Sequence, residues 1–546
     1  MSVAEPRDPE ALAPMSHREI LRALTGLLLS LLVAILSSTI VTNALPTILK
    51  DLHGTQGQYT WVVTATLLAA TATTPIWGKL ADLFSKKLLY QVAIGLFALG
   101  SVLAGIASSM PELIAYRAVQ GVGVGGLQAL AQVVIAAMVS PRERGRYAGY
   151  TGAVIAVATV SGPLVGGFIV DTPGLGWRFC FFLVVPLALA AMAVIHKTLH
   201  LPVLRRRARI DWLGATLIIG GVSLLMLWVS FAGKDFAWIS PASGLYLLGA
   251  VVTLGLALLV EFRAAEPVVP PRLFRDRTVL LSVLASLGIG TAMFGASVFI
   301  GQYFQQARGF TPTVAGLLGM PLALGYVLTS TWSGRRITRT GRWKVYLVAG
   351  AVALFAGLAL LATITHTSPV WLLACYLLVV GVGMGLTMQN LVLAVQNAVP
   401  VTDLGAASSS VMFFRSLGGA AGVSVLGAVL AGRVGQLVGH GEPVRDAQGD
   451  ASGLVFLIAA ALALVALVAI ALIKEVPLRD NTSGSTGEHT AVPNPVDNPG
   501  DAVDNRDAAV DRLLTPDRRI SAVGGRFAQV VEGCRRTVDK PVDNPV

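Results

Sequence analysis

Apolar runs of about twenty residues alternate with short charged loops from Leu21 to Ile473. A hydrocarbon core about 30 Å thick is crossed by about 20 predominantly apolar helical residues, so each run is read as a membrane-spanning helix. A window of about 19 residues places about fourteen spans. They fall near Leu21–Ala44, Tyr59–Leu80, Leu88–Ala107, Glu112–Met138, Tyr147–Val170 and Phe179–Ile195. Asp211–Phe231 and Ala242–Phe262 follow. The last six are Val279–Gly301, Thr313–Ser333, Val345–Thr365, Val370–Val395, Gly405–Ala431 and Ser452–Ile473. An even number of spans puts both termini on one side of the membrane.

The polar interruptions repeat. A charged hinge, Gly78-Lys79-Leu80-Ala81-Asp82-Leu83-Phe84-Ser85-Lys86-Lys87, has a degenerate copy in Gly334-Arg335-Arg336-Ile337-Thr338-Arg339-Thr340-Gly341-Arg342-Trp343-Lys344. Gly121-Val122-Gly123-Val124-Gly125 returns as Gly381-Val382-Gly383-Met384-Gly385. Pro141-Arg142-Glu143-Arg144-Gly145 returns more weakly as Val401-Thr402-Asp403-Leu404-Gly405. The shift is about 260 positions each time, which makes the chain a duplicated six-span bundle. The expected organisation is an N-terminal segment (1–20), a first bundle (21–200), a two-helix insert with its linkers (201–270), a second bundle (271–476) and a tail (477–546). The tail is rich in Asp, Asn, Pro and Gly, repeats Pro-Val-Asp-Asn-Pro, and is expected to be disordered, dispensable or regulatory.

Composition agrees with this reading: 54% of the 546 residues are hydrophobic and 13% charged, with a mean hydropathy of +0.70. That excludes an ordinary soluble globule. The net charge of +11 would suit nucleic acid, but the cations cluster in alternate loops. Lys79, Lys86 and Lys87, then Arg142, Arg144 and Arg146, then Arg205, Arg206, Arg207 and Arg209, and later Arg335, Arg336, Arg339 and Arg342 mark one side. The positive-inside rule makes that side the cytoplasm, with both termini there, and no nucleic-acid partner is needed. Cys180, Cys375 and Cys534 have neither pairing nor metal spacing. No cofactor or metal is expected.

Three motifs carry a resemblance. Gly78, Leu80, Ala81, Asp82 and Lys87 match the loop between spans two and three of the major facilitator superfamily, with Ser85 in place of its usual Gly. Arg117-Ala118-Val119-Gln120-Gly121 resembles that family's Arg-x-x-Gln-Gly motif, linked there to proton transfer. Gly162-Pro163-Leu164-Val165-Gly166-Gly167 resembles the Gly-Pro-x-x-Gly-Gly motif of its exporters. Ser37–Pro46, Asp211–Ala215, Trp177-Arg178 and Arg415–Gly419 are similar to strings of the fourteen-span drug:proton antiporter branch. The resemblance implies an all-α fold of two six-helix bundles plus two inserted helices.

Physical reading of the same residues gives each a role and an alternative. Asp82 is placed to meet a helix N-terminus or a cation of the other half, with Lys86 and Lys87 pairing across the seam or meeting anionic headgroups. Arg339 and Arg342 belong to an acid-free second copy, so the two loops are electrostatically unequal. The alternative is a solvated loop that only sets topology. Arg117 is a cation within a span, with Gly121, Gln128 and Gln132 near its face. It serves proton transfer or ties helices together. Gly162, Pro163, Gly166 and Gly167 favour a kinked helix contact.

The branch commonly has Asp where this chain has Ser37, and no Asp or Glu lies well inside a span. Asp82, Glu112, a charged substrate or water near Arg117 would then couple protons. Gln389, Asn390, Gln396 and Asn397, with Ser408 and Arg415, are expected to line the pathway in the second half. Intramembrane arginines without an internal acid favour anionic or neutral ligands. The function expected is export of amphipathic organic compounds, such as drugs or antibiotics, in exchange for protons by alternating access, through a monomer in the cell membrane. Export of a lipid, glycolipid or siderophore is the alternative. A non-transporting sensor, or an enzyme acting on lipids, would be a different class; the latter needs clustered side chains, whereas His53, His196, His200 and His366 are dispersed.

Overall fold

The helices start where local signals place them. Thr55 and Gln58 form a reciprocal capping box ahead of α2, and Ser85, Asp211, Ser240, Asp276 and Thr311 accept backbone N–H groups at later starts. Gly341, at φ +71°, ends the helix that carries the second hinge copy. The structure is a computed structural model that describes residues 17–172, 174–199, 201, 211–233, 236–264 and 266–478. The expected tail beyond Leu478 and the basic run Arg205–Arg209 lie outside the described residues.

The first half consists of α1 (His17–Asp51), α2 (Gln56–Leu83), α3 (Lys86–Gly105), α4 (Met110–Met138), α5 (Pro141–Asp171) and the broken pair α6 (Phe179–Phe182) and α7 (Val184–Thr198). The hairpin α8 (Trp212–Phe231) and α9 (Pro241–Arg263) follows. The second half consists of α10 (Arg277–Gln302), a short α11 (Pro312–Leu318) leading into α12 (Met320–Thr340), α13 (Lys344–Leu361), α14 (Val370–Ala398), α15 (Leu404–Gly439) and α16 (Val444–Ala471).

Packing follows the duplication. In the first half α1 packs on α5 and α7, and α4 on α2 and α3. In the second half α10 packs on α15 and α16, and α14 on α12 and α13. The halves meet along two seams, α2 with α15 and α5 with α12. The hairpin lies beside the first seam, with α8 against α2 and α15. Ala215, Ile218, Val222 and Met226 of α8 join Ala72 and Phe413 in one apolar cluster. The outer helix α9 exposes Leu245, Leu248, Val251, Leu256, Leu259 and Phe262, as a lipid-facing helix does.

Twelve helical stretches among the described residues are long and apolar enough to cross a membrane. The expected spans Tyr59–Leu80 and Tyr147–Val170 lie in α2 and α5, which fall outside that set. Their runs are diluted by Thr, Ser and Gly, and both helices build the seams between halves. Small and hydroxyl-bearing residues suit a protein-facing helix surface better than a lipid-facing one. The protein is therefore an all-helical, multi-pass membrane protein.

Candidate gate and transport pathway

Asp82 ends α2 beside the start of α15. Its Oδ1 accepts from Gly405 N at 2.8 Å and its Oδ2 from Ala406 N at 2.9 Å. The first amides of a helix have no intrahelical acceptor and sit at the positive end of the helix dipole. A carboxylate from the opposite half satisfies two of them at once. The approach depends on glycine on both sides. A Cβ at Gly78 would overlap Ser409 Oγ and Gly405 O, and one at Gly405 would overlap Gly78 O and the Asp82 carboxylate.

A second polar tie joins the halves. Arg144 is buried, and its guanidinium donates to Ala136 O at 2.7 Å, Val139 O at 3.0 Å and, across the seam, Gln396 Oε1 at 2.8 Å. Gln396 passes the contact on to Ser408 Oγ at 2.9 Å. From the sequence Arg144 reads only as one of the loop cations. Its place in the repeated Pro141–Gly145 string was the available signal.

Lys86 lies near Asp82 in the same half, and Lys87 is half-exposed. No ion pair carries either across the seam among the described residues. Arg339 and Arg342 are exposed, and no ion pair joins them to Asp82 among the described residues. The second copy instead holds the chain after α16. Trp343 Nε1 donates to Val476 O at 2.9 Å, and Asn397 Nδ2 to Pro477 O at 3.1 Å. Asn397, expected from the sequence to line the pathway, thus bonds to the segment that follows α16.

Inside the first half, Arg117, Gln120 and Ser37 come together. The Arg117 guanidinium donates to Gln120 Oε1, while Gln120 Nε2 donates to Ser37 Oγ at 3.1 Å and Ser101 Oγ at 2.7 Å. Ser37 therefore completes a neutral chain to a buried cation. Gln128 is half-buried. A cavity of about 30 Å³, room for one or two waters, lies between Gln132, Arg144, Tyr147, Gln389, Asn390 and Gln396 from both halves. Arg415, about a third of the way along α15, lies near Tyr326, which also neighbours Gln389.

Two pseudo-equivalent bundles thus meet at a polar midline. The sequence model of the Major Facilitator Superfamily matches residues 27–423. The chain belongs to that superfamily. It is 35% identical over 519 residues to an uncharacterized MFS-type transporter of Mycobacterium tuberculosis, covering 90% of this chain and 74% of that protein. It is 34% identical over 416 residues to the multidrug transporter protein MdtP of Bacillus subtilis, covering 76% of each. Its fold matches the proton:xylose symporter XylE with a TM-score of 0.58 at 14% identity, over 82% of this chain and 95% of that one. The protein is a transporter of small molecules and not an enzyme.

Among the remaining motif residues of this superfamily member, α5 runs unbroken past Pro163. A Cβ at Gly162 would overlap Thr39 Oγ1, so that glycine lets α1 and α5 touch. Gly166 is buried, and Gly167 faces open space. Trp177 Nε1 and Arg178 Nη1 both donate to Asp51 Oδ2, at 2.8 and 3.1 Å, which ties the end of α1 to the start of α6. Asp211 caps α8, accepting from Gly214 N at 2.8 Å.

Proposed function

We propose that this transporter exports amphipathic organic compounds from the cell in exchange for protons, by alternating access between two six-helix halves. The observation that carries it is the Asp82 cap on α15, a polar contact between halves at one end of the molecule. The basic loops at that end support a cytoplasmic orientation with both termini inside the cell membrane. Breaking a few polar contacts, Asp82 to α15 and Arg144 to Gln396, would let this end open. Asp82 is then the gate residue, with Gly78 allowing the close crossing.

Export of drug-like compounds is supported by similarity to a relative named as a multidrug transporter and by the Gly162–Gly167 motif. The Arg117–Gln120–Ser37 chain and the lining by Gln389, Asn390 and Arg415 form the reading's pathway for protons and substrate. The reading includes fourteen spans, with α2 and α5 crossing the membrane inside a jacket of more apolar helices. Purified protein in sealed vesicles under an imposed pH gradient tests it. Uptake or release of a fluorescent amphipathic drug should follow the gradient and collapse with a protonophore. Drug movement indifferent to the gradient would end the antiport reading.

A further inference from the structure

The hairpin ends in two carboxylates whose bonding is incomplete. Asp211 Oδ1 accepts from Gly214 N at 2.8 Å, and Glu261 Oε2 from Val269 N at 3.1 Å. The other oxygen of each, Asp211 Oδ2 and Glu261 Oε1, is buried without a hydrogen-bond partner. Both converge on one point: a Cβ built at Gly214 would meet these two oxygens first. Glu261 is only 4% exposed. Two desolvated carboxylate oxygens that meet over Gly214 repel, and among the described residues no protein donor separates them. One proton between them gives a carboxylic O–H donating to a carboxylate O.

The surrounding charges leave that place open. On α2, the Lys79 ammonium is committed to Glu266 Oε2 at 2.6 Å, and Asp82 is turned to the amides of α15. On the linker after α9, Arg272 pairs with Asp403 at 3.0 Å, while Arg263, the last residue of α9, is exposed. A cavity of about 360 Å³ lined by Lys79, Asp82, Glu261, Glu266, Arg272 and Asp403 reaches from Glu261 to the gate, with Glu261 as the member of the pair that borders it.

The linker makes the pair mechanically relevant. Residues 266–272 run across the seam, bonded to α2 through Glu266 and to the lead-in of α15 through Arg272. Val268 is buried in the cluster that joins α8, α2 and α15, and Val269 N holds Glu261. Repulsion between Asp211 and Glu261 would push directly on this strap.

We propose that Asp211 and Glu261 bind one shared proton while the cytoplasmic gate is closed and release it to the cytoplasm as the gate opens. A hydronium in the cavity gives its proton to a carboxylate oxygen, and release reverses that transfer. Cytoplasmic acid then holds the gate shut. The link to opening rests on the alternating-access reading; binding of the proton does not.

Two readouts on the full-length protein in nanodiscs separate these parts. Infrared difference spectra over a pH titration should show the carbonyl band of a protonated acid in the wild type, diminished in Glu261→Gln. Spin labels on Leu88→Cys and Val401→Cys, with native cysteines replaced, report separation across the gate. Raising pH should increase the open population by up to about tenfold per pH unit, the limit for one proton. Glu261→Gln, a permanent mimic of the protonated acid, should remain more closed than wild type and lose the part of the pH response that the pair supplies, leaving that of Asp82, which burial pushes up to about 7. Asp211→Asn, which keeps the cap on α8, should behave likewise and serves if the first variant folds poorly. A gate equally pH-dependent in wild type and both variants overturns the proposal, as does a response to sodium in place of protons. A titrating band with a gate that ignores pH keeps the proton site and overturns its link to opening.

Discussion

The Asp82 carboxylate and the Gly405 amide are 323 positions apart in the chain and 2.8 Å apart in space. They join the end of one helix in the first half to the beginning of another in the second. Because Ala406 N is bound by the same carboxylate, removing its charge weakens two charge-assisted hydrogen bonds together. Asp82→Asn should weaken the closed end by about 1–3 kcal/mol and reduce efflux severalfold or more, with membrane insertion unchanged. Drug efflux normalised to protein in the membrane fraction measures this. Wild-type efflux from the variant would remove Asp82 from the gate.

Gly78 and Gly405 let the backbones of α2 and α15 cross without side chains between them. Gly405→Ala should force the seam apart at a cost of about 1–3 kcal/mol. In the labelled protein described above, the closed population should shrink, and Gly78→Ala should act in the same direction. Gly167→Ala, at a position with open space around it, is the control and should leave the label distances unchanged.

Arg117 is a buried cation whose side-chain acceptor is Gln120. Gln120→Leu removes that acceptor and strands the hydroxyls of Ser37 and Ser101. Stability in detergent should fall by about 1–3 kcal/mol or more, read as a lowered Tm. Gln120→Glu should retain most of the stability by giving Arg117 a charged acceptor. A Gln120→Leu protein as stable as wild type would show that the network is not holding the helices.

Lys79 is almost fully buried, and its ammonium bonds to the partly exposed Glu266. Breaking a buried pair from one side is worse than replacing both members, because a lone buried charge remains. Glu266→Gln should therefore lower Tm more than the double replacement Lys79→Met with Glu266→Gln. Thermal unfolding of the wild type, both single variants and the double variant gives the coupling.

At the other end of the molecule, His366 Nδ1 lies 3.0 Å from Asp450 Oδ1. That hydrogen bond, reinforced by the charges of Asp450, Asp446 and Glu442, raises the His366 pKa above its usual value. A raised folded-state pKa means that the bound proton stabilises the fold. The contribution is complete below the unfolded pKa of about 6.5 and is lost as pH rises through the folded value. The Tm advantage of wild type over His366→Gln should therefore shrink from about pH 6.5 upward. A constant difference across that window would contradict the ion pair.

Hydropathy by itself determined that this is a helical membrane protein, and the repeated hinge and glycine strings exposed its duplication. Both are legible because transfer into lipid is nearly additive along a segment, and a turn or tight crossing leaves its residues at one address in each repeat. Asp82 could be singled out as an acid among cations at a repeated position. The dilution of α2 and α5 by Thr and Gly was equally visible, but its cause was not. These helices meet protein along the seams, and neighbours there are chosen by packing. Tertiary structure alone decided that Asp82 caps α15, that Arg144 crosses to Gln396, and that Asn397 holds the segment after α16. It also decided that Asp211 and Glu261, marked in the sequence only as acids near span ends, meet over Gly214. A hydrogen bond is set by distances of a few ångströms, and such distances between remote residues exist only after the helices have packed.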